Sequence, residues 1–148
     1  MIRNALVVAV LFTTSPPLIA AESADFAKMG RAAWAAFECS SLASVLERPE
    51  DQERLFRFGY EQGKEFLHAL QDGRIKAEDL NSIAPSGLLM VAQGPTADFI
   101  LGRVLESAQE NSLKDVITAE SVLHKDLQQA IASRKFTSGN CEIIGNGR

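Results

Sequence analysis

The side chains that could do chemistry in this sequence are two cysteines, two histidines and a scatter of carboxylates. Cys39 and Cys141 lie far apart in the chain. Redox-active pairs favour Cys-X-X-Cys at a helix start, where the thiolate is stabilised. A widely separated pair in an exported chain suits a structural disulfide instead. That bond would close a loop of about 100 residues, for which the chain-entropy argument gives about 4.7 kcal/mol. A whole domain is stable by only ~5–15 kcal/mol, so this one bond bears on whether the fold persists.

His68 has Glu65 and Asp72 within one helical turn, and His124 has Glu120 one turn before it. A metal centre needs three or four converging ligands. Neither neighbourhood supplies them, so no metal or other cofactor is expected and both histidines read as solvated surface groups. The carboxylate pairs Glu61/Glu65 and Glu106/Glu110 run along single helix faces beside Lys64 and Arg103. Glycosidase acids must face each other across a cleft, so these pairs also read as solvated faces. The sequence has no Gly-X-Ser-X-Gly elbow, dinucleotide fingerprint, phosphate loop or His-Glu-X-X-His. Its Ser, His and Asp residues have no triad-like spacing. No catalytic residue is assigned.

One segment opens a helix with polar groups in place to receive a ligand: Gln93, Gly94, Pro95 and Thr96, with Asp98 just beyond. The free N–H groups and dipole of a helix start accept anionic or carbonyl groups. The competing reading is helix punctuation, with Pro95 at the first helical position.

The elements that must carry these residues are helical. Apolar residues recur at three- and four-residue spacing, and sustained period-two alternation is absent. The first helix is expected over Ser23–Glu47, ended by Pro49. Phe26, Met29, Ala33 and Phe37 form one stripe on it. Ala32, Ala35, Cys39, Ala43 and Leu46 form a second on nearly the opposite side, which suggests a central helix with the C-terminal tail lying along Cys39. The second helix is expected over Pro49–Asp72, with Phe56, Gly59, Tyr60, Gly63 and Phe66 buried and Gly73 as the stop. Glu50/Arg54 and Glu53/Arg57 are favourable i,i+4 pairs on it. Two interior glycines four apart cost roughly 1 kcal/mol each against alanine. Close packing of another helix over Gly59 and Gly63 explains them. Residues 74–96 are broken by Pro85-Ser86-Gly87 and Gly94-Pro95 into short pieces. A further helix runs from about Pro95 to Ile117. Ser121 starts the last one, with Leu123, Leu127, Ala130 and Ile131 inward, to about Lys135. The fold expected is an all-α, single-domain bundle of about five helices, its non-helical C-terminal tail stapled to the first helix by one disulfide.

Residues 1–21 read as a cleaved signal peptide. Arg3 supplies the positive n-region, Ala5–Phe12 the apolar run, and Leu18-Ile19-Ala20-Ala21 a small-residue cleavage site before Glu22. The apolar run is shorter than the ~20 residues a membrane span needs. The helical domain is then 22–148, periplasmic or secreted, with no stable membrane insertion after cleavage. The chain carries 19 acidic and 15 basic side chains, net −4, and no cluster of Lys or Arg beyond Arg54/Arg57 and Arg134/Lys135. Nucleic acid needs a concentrated positive face, so no nucleic-acid partner is expected, nor an anionic membrane surface.

In leader, size and disulfide the chain is similar to small periplasmic helical proteins such as acid-stress chaperones and secretion-system immunity proteins. The resemblance implies binding rather than catalysis and carries over no functional residue. The function expected is binding of another macromolecule, an envelope or secreted protein, by an inhibitor, immunity or chaperone-like module. The alternatives are a hydrolytic site assembled from Asp98, Glu106 or His68 across helices, and a carrier of a small apolar ligand between Phe-rich helices.

Overall fold

The computed structural model describes residues 18–118 and 120–146. Residues 1–17 of the expected leader lie outside them, and from Leu18 the backbone belongs to the first helix. All regular structure among the described residues is helical, in six helices: α1 Leu18–Val45, α2 Pro49–Gln71, α3 Ala77–Ile83, α4 Ser86–Val91, α5 Ala97–Leu113 and α6 Lys125–Ser138.

α1 is the axis of the molecule, and every other helix except α4 packs chiefly on it. It can do so because small residues interrupt its large ones on several sides. Ala27, Ala33, Ala36 and Ala43 are wholly buried beside Phe37 and Leu42. α2 runs back along α1 after a tight turn. Arg48 N–H donates to Ala43 O and Glu47 N–H to Ser44 O, with Glu47 left-handed at φ 57°, the paired bonds of a Schellman ending. Gly73, at φ 68°, ends α2 by the same pair of bonds, as the sequence predicts. The close-packing role of the α2 glycines also holds. A Cβ on Gly59 would sit 2.9 Å from the Phe37 ring, and one on Gly63 2.5 Å from Leu101.

The core is in two parts. The first joins the N-terminal part of α1 to α2, α3, α4 and α5 around Trp34, Phe37, Phe66 and Leu101. The second joins the C-terminal part of α1 to α6 around Leu42, Leu55, Val116 and Phe136, with both cysteines inside it. Cys39 and Cys141 are bonded, with Cα atoms 5.5 Å apart. A third Schellman ending, at Asn140, closes α6 and sets Cys141 against α1.

Several expectations shift. There are six helices rather than about five, and both of the short pieces expected in residues 74–96 are helical. α5 starts at Ala97 and stops at Leu113, so the chain turns and drives Val116 into the second core. Ser121 does not start α6. It lies buried in the turn before it, where its Oγ accepts from Thr118 N–H (2.8 Å) and donates to Val116 O (2.6 Å). The inward face of α6 is Ala132 and Phe136 with Ile131, as expected, packed beside them, while Ala130 is exposed, Leu123 is 87% exposed and Leu127 42%. The staple at Cys141 fixes the rotation of this helix. Arg54 pairs with Asp51 (2.7 Å) rather than Glu50. Its guanidinium also donates to the carbonyls of Cys141 and Ile144, so the tail draws it away.

Candidate functional site

α2 and α5 both lie on α1 and meet each other where Leu101 packs on Gly63 and Tyr60 bonds Asp98, then part towards the C-terminal end of α5. The space between them is a cleft of about 840 Å³. Its floor is α1, where Ser40, Ser41 and Ser44 keep the surface low. Ser40 Oγ donates to Gln52 O (3.0 Å) and Ser41 Oγ to Phe37 O (3.0 Å), so both hydroxyls are already used. One wall is α2, with Gln52, Glu53 and Phe56; the other is α5, with Leu105, Gln109 and Leu113, and Ile117 beyond its end. These positions repeat at three and four residues, so each wall is one helical stripe.

A smaller hollow of about 130 Å³ continues the cleft past Phe56 and Leu105 to Tyr60, Asp98 and Gly102. Tyr60 donates to the Asp98 carboxylate at 2.7 Å. That hydrogen bond, with some desolvation, raises the Tyr60 pKa above its ordinary value. Phe56 and Tyr60 stack with ring centres 6.3 Å apart. Phe56 is 40% exposed and Ile117 49%. Gly102 is also open: a Cβ built there meets nothing within 4 Å. In Gly59 and Gly63 the cost of an interior glycine is explained by a neighbour in the same chain. In Gly102 it is not.

Two of these features escape the sequence reading. Phe56 belongs by periodicity to the buried stripe of α2, yet it stands at the edge of the cleft. Gly102 lies inside a helical pattern, and that is the mark by which it could have been found.

The segment expected to receive a ligand is occupied by its own chain. Thr96 caps α5, its Oγ accepting from Phe99 N–H at 3.2 Å. The Gln93 carbonyl accepts from Arg103 at 2.8 Å, and Asp98 is held by Tyr60. Gly94 lies against the Phe99 ring. Pro95 stands before the cap rather than at the first helical position.

Asp98, Glu106 and His68 are not brought together. Phe56 meets Leu105 and Tyr60 meets Asp98, so α2 and α5 are antiparallel. From the Tyr60–Asp98 level, eight residues of rise carry His68 about 12 Å one way and Glu106 about 12 Å the other. His68 and His124 are both exposed. No group of three or more His, Cys, Asp or Glu gathers for a metal among the described residues, and no helix there is long and apolar enough to cross a membrane. Comparison with known protein families, with curated proteins and with solved structures finds nothing that matches this chain.

Proposed function

We propose that this chain is an exported, periplasmic or secreted protein that works by binding another macromolecule, as an inhibitor, immunity factor or chaperone-like module, and that the α2/α5 cleft is its binding surface. The observation that carries this reading is the apolar surface left around the cleft. Folding gains roughly 25 cal/mol for each Å² of apolar surface removed from water. Phe56 and Ile117 nonetheless stand half in solvent on facing sides of one groove. Half-exposed apolar side chains on the walls of one groove leave surface whose removal from water would favour association. Gly102 supports the same reading, since it opens the α5 backbone to close approach.

The test is to express the chain with its own leader and a C-terminal tag, and to recover it from the exported fraction. N-terminal sequencing should begin at Glu22. A stoichiometric protein partner should be retained by the wild type and lost in Phe56→Glu. Retention by both would remove the cleft from the account. A second reading, a carrier of a small apolar ligand, is favoured by the cleft volume, which lies within the ~300–1,000 Å³ of small-molecule sites. Native mass spectrometry showing a bound lipid instead of a protein would select it.

A further inference from the structure

Resting on the reading of the cleft as the binding surface, we infer that this surface is redox-dependent: the Cys39–Cys141 bond holds one end of it in place, and the chain with free thiols keeps only the other end.

The cleft spans both parts of the core. At one end Phe56 stands beside Phe37, ring centres 6.0 Å apart, and Leu105 packs on the first core. At the other end Val45 and Leu113 line the cleft and also pack against the second core. Along α1 the two uses alternate. Ser40, Ser41 and Ser44 line the cleft, while Cys39, Leu42 and Ala43 are buried in the second core. Ile117 completes this end, and Val116, the residue before it, is fully buried in that core.

α6 holds these pieces from behind. Gln129 Nε2 donates to the Val45 carbonyl at 3.5 Å, and Gln128 Nε2 to that of Ser121 at 3.1 Å. Ser121 Oγ in turn donates to the Val116 carbonyl and accepts from Thr118 N–H, which fixes the turn that carries Ile117. Ala132 and Phe136 share the second core with Leu42 and Val116. Among the described residues none of α6 lines the cleft, so this helix is its buttress and not a wall.

The disulfide ties the end of that buttress to α1. Both cysteines are buried, and exchange requires a thiolate to reach a sulfur. The bond is therefore made as α6 docks and is shielded while it stays docked. Making it takes two thiols to one disulfide. Two electrons and two protons pass to a disulfide-bonded oxidant, which leaves as a dithiol. In a reducing compartment the thiols persist. There α6 leaves α1 first, and Val45, Leu113 and Ile117 lose their backing. Export into an oxidising compartment then completes the cleft.

Amide exchange of the full mature protein, oxidised and as Cys39→Ser/Cys141→Ser, tests the coupling. Loss of the bond should accelerate exchange over 113–118 at least roughly tenfold, together with α6, while 99–106 and α2 hold. Acceleration confined to α6, or equal in every helix, overturns the inference. A second measurement keeps the bond and the fold. Ser121→Ala should speed reduction of the oxidised protein by dithiothreitol at least roughly fivefold, because the turn and α6 support each other. Gly30→Ala, whose Cβ would meet Phe66 in the first core, should not. Equal rates in both variants would mean that reduction waits on the whole fold, and would also overturn the coupling. A partner captured by the oxidised chain should be lost from the double variant. Capture kept by the double variant but lost in Phe56→Glu overturns the inference and leaves the cleft as the binding surface. Capture indifferent to Phe56→Glu removes that surface, and the inference with it.

Discussion

A glycine inside a helix has opposite meanings at Gly30 and Gly102, and the difference can be measured. A Cβ on Gly30 would meet the Phe66 ring at 2.7 Å, and Phe66 is 1% exposed with no room to withdraw. Gly30→Ala should therefore lower stability by about 1–3 kcal/mol, the usual range for overpacking. Gly102→Ala should raise it by about 0.5–1 kcal/mol, because alanine is the better helix former and nothing obstructs it. Denaturant midpoints decide both signs, and a destabilising Gly102→Ala would show an intrachain role for that position. Tyr60 gives a second residue-level outcome, since it is the only tyrosine. Its pKa is raised by the hydrogen bond to Asp98. The bond therefore contributes fully below the ordinary tyrosine value, ~10, and is lost as pH rises through the folded value. The tyrosinate absorbance midpoint should fall toward ~10 in Asp98→Ala; an unmoved midpoint would break the pairing. Asp51 runs the other way. The hydrogen bond from Arg54 lowers its pKa. Its contribution is present above the ordinary aspartate value, ~3.9, and disappears as acid passes the depressed one.

At the scale of elements, the weakest attachment with a single point of failure is α3. Ser23, fully buried on α1, donates to Asp79 at 2.6 Å and accepts from Lys76 N–H at 2.8 Å. α3 buries none of its own residues completely, Leu80 and Ile83 packing half-buried on the first core, so this hydroxyl is the polar tie that adds to them. Ser23→Ala leaves a donor and an acceptor without partners, which should cost about 1–3 kcal/mol. The loss should be local: amide exchange over 77–83 should accelerate while that of α2 holds. Uniform acceleration would mean that α3 is not a separate unit. The long helices were legible in the sequence because their stripes are long and their punctuation is chemical. Pro49 starts α2 and Gly73 ends it, and the paired glycines announced a close neighbour. The rotation of α6 was not legible. Leu123 and Leu127 carry the right period, but the phase is set by Phe136 and by a bond to a residue 102 positions away. The intrachain bonding of the 93–98 segment was not legible for a related reason. The loop at 93–98 shows its polar groups in the sequence, whereas Tyr60 and Arg103, which occupy them, come from other turns and another helix.

For the whole molecule, the two-part core makes the disulfide a matter of cooperativity as well as stability. The first core closes among α1 to α5 without α6. The second depends on Ala132 and Phe136, on Arg48 over the Phe136 ring at 4.7 Å, on Arg54 at the tail carbonyls, and on Cys39–Cys141. Beyond these α6 has Ile131, half-buried against the same core, and the Lys125–Glu47 pair, while Leu123 and Leu127 face solvent. Removing the bond should cost about 2–5 kcal/mol, the usual range for a native disulfide in a small domain, and the loss should fall on the second core first. The chain carries its own reporter, because its only tryptophan, Trp34, lies in the first core. In the oxidised protein, denaturation followed by helical dichroism and by Trp34 fluorescence should coincide, as one cooperative unit requires. In reductant, or in Cys39→Ser/Cys141→Ser, dichroism should begin to fall before the fluorescence does, as α6 leaves α1. Coincident curves in both redox states would show that α1 couples the two cores by itself. The staple would then stabilise the fold without deciding the order in which it opens.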